Sequence, residues 1–268
     1  MTFHRLLSLP QRIRRRWWTC KIDRFQARYR RQPALLTQCI QLQRQAAQVL
    51  GDANPLLPPS VIRKGQCLRD GELATKLRGE DFGGWSPPVE EIDWLVDLLY
   101  KERPRVVLEF GSGRSTVCLC VILHRIHGTD GFRLLSIDQD PENVERATNR
   151  LHGLDGCSSC HVVHVSLSPA IVNGWSTFFY NIETMDSGHF AWLGKAEFVF
   201  IDGPFADGPC RYGTLPKVLA QLAPGARFVM DDALREKELL VGALWAQEGI
   251  VVEGVLTLGQ GVMVGIVP

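Results

Sequence analysis

No stretch of this 268-residue chain approaches the roughly 20 consecutive apolar residues needed to cross a bilayer, and its N-terminus has no apolar core ending in a small-residue cleavage site. Neither a membrane span nor a secretory leader is expected, which points to the cytoplasm. The eight cysteines are scattered through apolar strand and helix patterns, as Cys118 and Cys120 are, rather than spaced as a disulfide framework; reduced thiols are expected. Acidic residues are scarce at one end. Residues 1–31 carry ten Lys or Arg against the single acid Asp23, so the remainder of the chain is net acidic.

Within that basic stretch Trp18, Ile22, Phe25 and Tyr29 recur at helical spacing and form one apolar stripe. Two readings follow: a contact with an anionic membrane surface or nucleic acid, or a helix packed on the main domain with its arginines in water. Pro33 interrupts the pattern. A second helix is then expected, with Leu36, Ile40, Ala47 and Leu50 on one face and Gly51 as its stop. Residues 52–84 hold Pro55, Pro58, Pro59 and several glycines, and read as an irregular connection. Residues 1–84 are thus expected to be a basic helical extension with a linker, and 85–268 the main domain. Ser86 and Pro87 suit the start of a helix that buries Ile92, Leu95, Val96 and Leu99.

The centre of the chain is Val106-Val107-Leu108-Glu109-Phe110-Gly111-Ser112-Gly113-Arg114-Ser115-Thr116. An apolar run closed by two glycines one residue apart reads as a buried parallel strand, a tight turn and a helix, with backbone N–H groups gathered at the C-terminal edge of a sheet. A dinucleotide fold would place a third glycine where Thr116 stands, and Glu109 sits badly for a site that must accept two phosphates. An acid there suits a cationic, phosphate-free nucleoside instead.

Further strand ends repeat the arrangement. Residues 132–137 lead to Asp138-Gln139-Asp140-Pro141, where Asp138 is placed to accept ribose hydroxyls and Asp140, just before Pro141, to cap the next helix. Residues 161–165 are the expected third strand, and 172–195 a polar and aromatic segment. The run Phe198-Val199-Phe200-Ile201 ends in Asp202-Gly203-Pro204. After an expected helix over 212–222 and a Pro224-Gly225 turn, Arg227-Phe228-Val229-Met230 ends in Asp231-Asp232. A helix over 234–247 leads to strands at 250–256 and 262–267 that read as a closing hairpin. The cluster Cys157, Cys160, His161 and His164 lies within eight positions, too compact for the two separated ligand pairs of a structural zinc site; it reads as packing or surface.

With Glu109-Phe110-Gly111-Ser112-Gly113, the chain resembles the first motif of class I S-adenosylmethionine-dependent methyltransferases. Over 86–268 it is most similar to a bacterial-type group of that superfamily, marked by Leu108 to Gly113 with Ser115-Thr116, by Ile201-Asp202-Gly203-Pro204 followed by Arg211-Tyr212, and by Asp231-Asp232. The resemblance implies an α/β, Rossmann-like, seven-stranded and mostly parallel sheet ending in an antiparallel hairpin, here with an N-terminal helical extension. It implies S-adenosylmethionine held by Glu109, Gly111, Ser112, Gly113, Ser115 and Asp138, and methyl transfer to a small organic acceptor, at oxygen. Likeness to catechol and caffeoyl-coenzyme A O-methyltransferases implies that Asp202, Asp231 and Asp232 form a site for Mg²⁺ or Ca²⁺, with Asp202 also the catalytic carboxylate. Two departures stand out. Asp231-Asp232 replaces an Asp-Asn pair, and Phe205 stands where catechol methyltransferases carry a lysine. Alternatives are a non-catalytic binding protein of the same fold, a membrane- or nucleic-acid-associated protein working through its basic helix, at the inner face of the membrane if peripheral, and an NAD-linked oxidoreductase.

Overall fold

The computed structural model of the chain describes residues 89–268, Pro87, and Ala34, Leu35, Thr37, Gln38, Gln41 and Leu42 nearer the N-terminus. The stripe of Trp18, Ile22, Phe25 and Tyr29, the face of Leu36, Ile40, Ala47 and Leu50, the connection 52–84 and the Ser86 cap lie outside the described residues. The described residues between 34 and 42 are helical, and Leu35 and Leu42, seven apart, are buried in the core.

The main sheet is built from β1 (Val106–Phe110), β2 (Arg133–Asp138), β3 (Cys160–His164), β6 (Ala196–Ile201), β7 (Leu222–Met230), β8 (Val251–Leu256) and β9 (Val262–Ile266). Their order across the sheet is β3-β2-β1-β6-β7-β9-β8. Neighbours from β3 to β7 run parallel, and β9 is antiparallel to both β7 and β8. The chain works outward from β1 to β3 and then returns to the other side of β1. The direction of winding therefore reverses between β1 and β6, which opens a crevice at the carboxyl ends of those strands.

Alternation along each strand explains the two cores. Val107, Leu134, Phe198, Phe200 and Val229 face α1 (Val89–Glu102) and α2 (Arg114–His127), while Leu108, Phe110, Leu135, Ile137, Val199, Ile201, Phe228 and Met230 face the other side. That second face is covered by α5 (Glu236–Gln247), α4 (Ser187–Leu193) and a small hairpin of β4 (Leu167–Val172) and β5 (Trp175–Tyr180). Both faces being buried, the strands read as continuous apolar runs. Fully burying each such side chain contributes roughly 1.5–3 kcal/mol.

Register fixes where the site lies. Phe110 pairs with both Ile137 and Ile201, and Ile201 pairs with Met230. Four strands therefore end in line, and the residues that follow them, Gly111, Asp138, Asp202 and Asp231, emerge along one edge.

Three local expectations are corrected. Residues 212–222 are not one helix but two 3₁₀ turns, Cys210–Thr214 and Pro216–Gln221, because Pro216 lacks the N–H that a continuous helix would use. The fifth parallel-set strand begins at Leu222, and Pro224-Gly225 is an irregularity inside it, where pairing passes from Ala196 with Leu222 to Phe198 with Arg227. The segment 172–195 contains β5 and α4, and its hairpin turns on Asn173-Gly174, both at positive φ. Among the described residues no helix is long and apolar enough to cross a membrane.

Candidate functional site

The loop after β1 is pinned on both sides. Gly111 donates its N–H to the carbonyl of Ile137, and Asp202 and Gly203 both donate theirs to the carbonyl of Phe110. Gly111 has φ 93°, and a Cβ there would stand 2.7 Å from the Gly203 nitrogen. Only glycine satisfies both demands. Gly113 is different: its φ of 175° suits any residue, and a Cβ would meet nothing within 4 Å. The space beside it is open, so a ligand can approach the backbone at the N-terminus of α2.

Strand parity puts Glu109 on the α1 and α2 face, beneath that helix end rather than in the crevice. Its Oε2 accepts from the hydroxyls of Thr116 and Ser136, each at 2.6 Å. Thr116 in turn accepts the N–H of Gly113 at 2.9 Å, and Ser136 meets the hydroxyl of Ser112 at 2.8 Å. A single buried carboxyl thus holds both ends of the glycine loop. Burial pushes its pKa up to about 7, against the opposing pull of the Ser115, Ser136 and Thr116 hydroxyls.

Asp138 holds the same loop from the cavity side. Its Oδ2 accepts the N–H of Ser112 at 2.7 Å and its Oδ1 the N–H of Asp140 at 2.8 Å. A carboxylate has about four acceptor positions; these two N–H groups and the Asn143 side chain engage three, which leaves one toward the cavity. Burial raises its pKa, and the two N–H donors oppose that rise. Asp140 caps α3 (Pro141–Leu151) by accepting the N–H of Glu142 at 2.9 Å, which leaves Asp138 to the site as the sequence suggested.

The crevice holds a cavity of about 400 Å³, within the range that encloses small-molecule ligands. Gly111, Ser112, Gly113, Ser115 and Asp138 line one end, and Asp202, Gly203, Arg211, Asp232 and Arg235 the other. The Gln139 side chain closes one wall, donating to the carbonyl of Phe205 at 2.9 Å and accepting its N–H at 2.8 Å. Tyr180, its ring stacked on Phe110 at 5.6 Å, forms another wall. Its buried hydroxyl has no hydrogen-bond partner among the described residues.

At the far end the carboxylate oxygens of Asp202, Asp231 and Asp232 lie within 4.8 Å of one another. Arg211, buried at 3% exposure, is inserted among them. Its Nη2 lies 3.3 Å from Asp202 Oδ1 and 3.1 Å from Asp232 Oδ2, and its Nη1 donates to the Asp231 carbonyl at 2.6 Å. Arg235 adds a contact to Asp232 Oδ2 at 2.7 Å. Asp232 has φ 59°, a left-handed conformation that Asp tolerates better than most residues. Burial, then repulsion from Asp231, raises the pKa of Asp202 well above the carboxylate range, with Arg211 opposing. Burial, then Asp232, pushes Asp231 to about 6. Beneath them lies Glu91, fully buried on α1 and raised well above its usual value by burial and by the Asp231 carboxyl it meets.

Of the residues read from the sequence, Gly111, Ser112, Gly113, Ser115, Asp138, Asp202 and Asp232 face one cavity. Glu109 and Asp231 do not line it. The contact expected between Glu109 and a cationic nucleoside is replaced by its bonds under the loop. Sequence reasoning assigned no role to Arg211, Tyr180, Glu91 or Glu238. The hairpin that carries Tyr180 did leave a signal, the Asn173-Gly174 pair between two apolar runs. Glu91 left none, since an acid in an amphipathic helix reads as solvated. His161 stacks on Trp192 at 3.7 Å and meets His189 Nδ1 at 3.3 Å, and among the described residues the acidic trio is the only group of three spaced to hold a metal ion.

A family model described as a methyltransferase domain matches residues 108–233. No curated protein matches the chain. Among solved structures, a cofactor-bound protein from MTB has 17% identity, with 81% of this chain and 98% of that one covered and a TM-score of 0.51, which shows a shared fold. Also matched are the O-methyltransferase TomG from Streptomyces achromogenes (18% identity, 84% and 98% covered, TM-score 0.47) and an O-methyltransferase from Bacillus cereus (13%, 83% and 95%, 0.49).

Proposed function

We propose that the chain, whose residues 108–233 match a methyltransferase-domain family model, uses S-adenosylmethionine to methylate a hydroxyl of a small organic acceptor. The observation that carries this reading is the register of β1, β2 and β6, which delivers the Gly111 loop, Asp138 and Asp202 to one cavity at the point where the sheet reverses its winding. The residues suit the group. Asp138 presents its carboxylate to the cavity where a ribose hydroxyl can reach it, and the open space at Gly113 lets the cofactor meet backbone.

Bound there, S-adenosylmethionine supplies an activated methyl group on a positively charged sulfur. Asp138 orients the sugar, while Gly111, Ser112, Gly113 and Ser115 shape the floor beneath it. Glu109 acts indirectly, by fixing the loop through Thr116 and Ser136. Holding nucleophile and methyl in line supplies much of the rate in such a displacement. Asp202 has a side chain 18% exposed at the cavity and a raised pKa, which suits it to take the proton that an acceptor hydroxyl sheds. Tyr180 and the clasp of Gln139 on Phe205 wall the cavity. A cavity of this volume favours a small molecule over nucleic acid. The basic stretch 1–31 is proposed to rest on anionic headgroups at the cytoplasmic face, which co-sedimentation with anionic vesicles before and after its removal tests.

Incubation with S-adenosylmethionine labelled in its methyl group and a panel of hydroxylated aromatic and aliphatic compounds tests the main reading. Label in an acceptor supports it. Binding without transfer to any of them would mark a binding protein instead.

A further inference from the structure

A hard divalent cation needs oxygen ligands at roughly 2.0–2.6 Å, and the acids ending β6 and β7 are spaced to offer them. A cation of another kind already stands there. We propose that Arg211 is the resident cation of this cluster, so that the methyl transfer proposed above, on which this inference rests, runs without a divalent ion. Arg211 is then a positioning residue for Asp202.

Three observations support it. First, the guanidinium uses the oxygens an ion would need: Nη2 reaches Asp202 Oδ1 and Asp232 Oδ2 and also donates to the Asp202 carbonyl, while Nη1 donates to the Asp231 carbonyl. An ion on the remaining oxygens of these carboxylates would sit beside the guanidinium with like charge. Second, further oxygens are engaged. Asp232 Oδ2 is shared with Arg235, and Asp231 Oδ1 accepts the N–H of Asp232.

Third, the turn that carries Arg211 is anchored through its backbone, and the side chain lies buried among acids. Thr214 donates its hydroxyl to the Arg211 carbonyl at 2.7 Å, Trp245 Nε1 donates to the Tyr212 carbonyl at 3.0 Å, and Thr177 donates to the Pro209 carbonyl at 3.0 Å. Glu238 Oε1 lies 4.0 Å from Arg211 Nε. Expelling the side chain would take its counter-charge from Asp202 and Glu238.

The consequence reaches the substrate. A metal would bind two neighbouring acceptor oxygens and select catechol-like pairs, whereas Arg211 has its terminal nitrogens committed to protein oxygens. An acceptor with a single hydroxyl therefore suffices, its proton passing to Asp202 as the oxygen–carbon bond forms and the carbon–sulfur bond breaks.

Electron paramagnetic resonance of Mn²⁺ mixed with the full chain and S-adenosylhomocysteine tests this. The free-ion signal is expected to persist in the wild type, and methyl transfer to be unchanged by EDTA. Arg211→Gln, of similar shape and uncharged, is expected to sequester Mn²⁺, and Arg211→Lys to keep Mn²⁺ out while lowering kcat at least tenfold with S-adenosylhomocysteine affinity unchanged. Mn²⁺ uptake by the wild type that is lost in Asp202→Asn, or EDTA-sensitive turnover restored by Mg²⁺, would overturn the proposal. Titration of S-adenosylhomocysteine in EDTA keeps the two readings apart: failure to bind sinks the methyltransferase reading itself, whereas metal-dependent turnover sinks only the role of Arg211.

Discussion

Asp138 accepts the backbone N–H of Ser112 at 2.7 Å, joining the end of β2 to the glycine loop after β1. From the opposite side the Ser112 hydroxyl meets Ser136, which donates to Glu109. One residue is thus held by two carboxyl groups. Only Asp138 also faces the cavity, while Glu109 lies beneath the loop.

Asp138→Ala is expected to weaken S-adenosylhomocysteine binding by roughly 10–100-fold, the loss of hydrogen bonds to a charged acceptor at about 1.5–3 kcal/mol. Isothermal titration measures it. Affinity within about twofold of the wild type would remove Asp138 from the site.

Glu109 predicts an unusual dependence of stability on pH. Its pKa is about 7 in the folded protein against an ordinary 4.5, so between those values the folded state holds a proton that the unfolded chain has released. Its contribution is fullest below about 4.5 and is lost as pH rises through 7, by about 3 kcal/mol in all. Asp231, raised to about 6, acts in the same direction. Thermal unfolding should therefore give a lower Tm at pH 8 than at pH 5, and Glu109→Gln should flatten that slope and raise the Tm at pH 8. An unchanged slope in the variant would contradict this account of the buried acid.

The two glycines of the loop should separate fold from function. Gly111→Ala meets the Gly203 backbone at 2.7 Å in a left-handed conformation and is expected to destabilise by about 2 kcal/mol or more. Gly113→Ala meets no protein atom and should leave the Tm within about a degree. Its methyl group would instead occupy space beside the ligand, lowering S-adenosylhomocysteine affinity about tenfold by titration. Equal effects of both variants on Tm would show that the openness at Gly113 has been misread.

Tyr180→Phe removes a buried hydroxyl that has no hydrogen-bond partner among the described residues. The variant should be more stable by about 1 kcal/mol. Loading the site should reverse the preference, with ligand affinity or kcat/KM several-fold below wild type, if the hydroxyl finds its partner in the cavity. A variant unchanged in both respects would make Tyr180 a wall and nothing more.

The parallel core was legible because strands buried on both faces leave long apolar runs, and Phe110, Ile201 and Met230 each precede a glycine or an acid that marks the edge. The β9–β8 hairpin was legible from its glycines. The place of Glu109 was harder to read: position in the motif gives distance along the strand, but parity decides the face, and residue 109 shares the face of Val107 beneath α2. Arg211 was visible only as part of a motif. Nothing in its local sequence tells that a 3₁₀ turn held by Thr214 and Trp245 would aim it into an acidic cluster brought together from two other strands. Long-range convergence of that kind is written in the topology, not in any short stretch of chain.

The most direct test of the central claim is a calorimetric titration of the wild-type chain with S-adenosylhomocysteine alongside NADH. One saturable site for S-adenosylhomocysteine is expected, weakened in Asp138→Ala, with no heat of binding from the dinucleotide. Saturable binding of NADH with none of S-adenosylhomocysteine would contradict it.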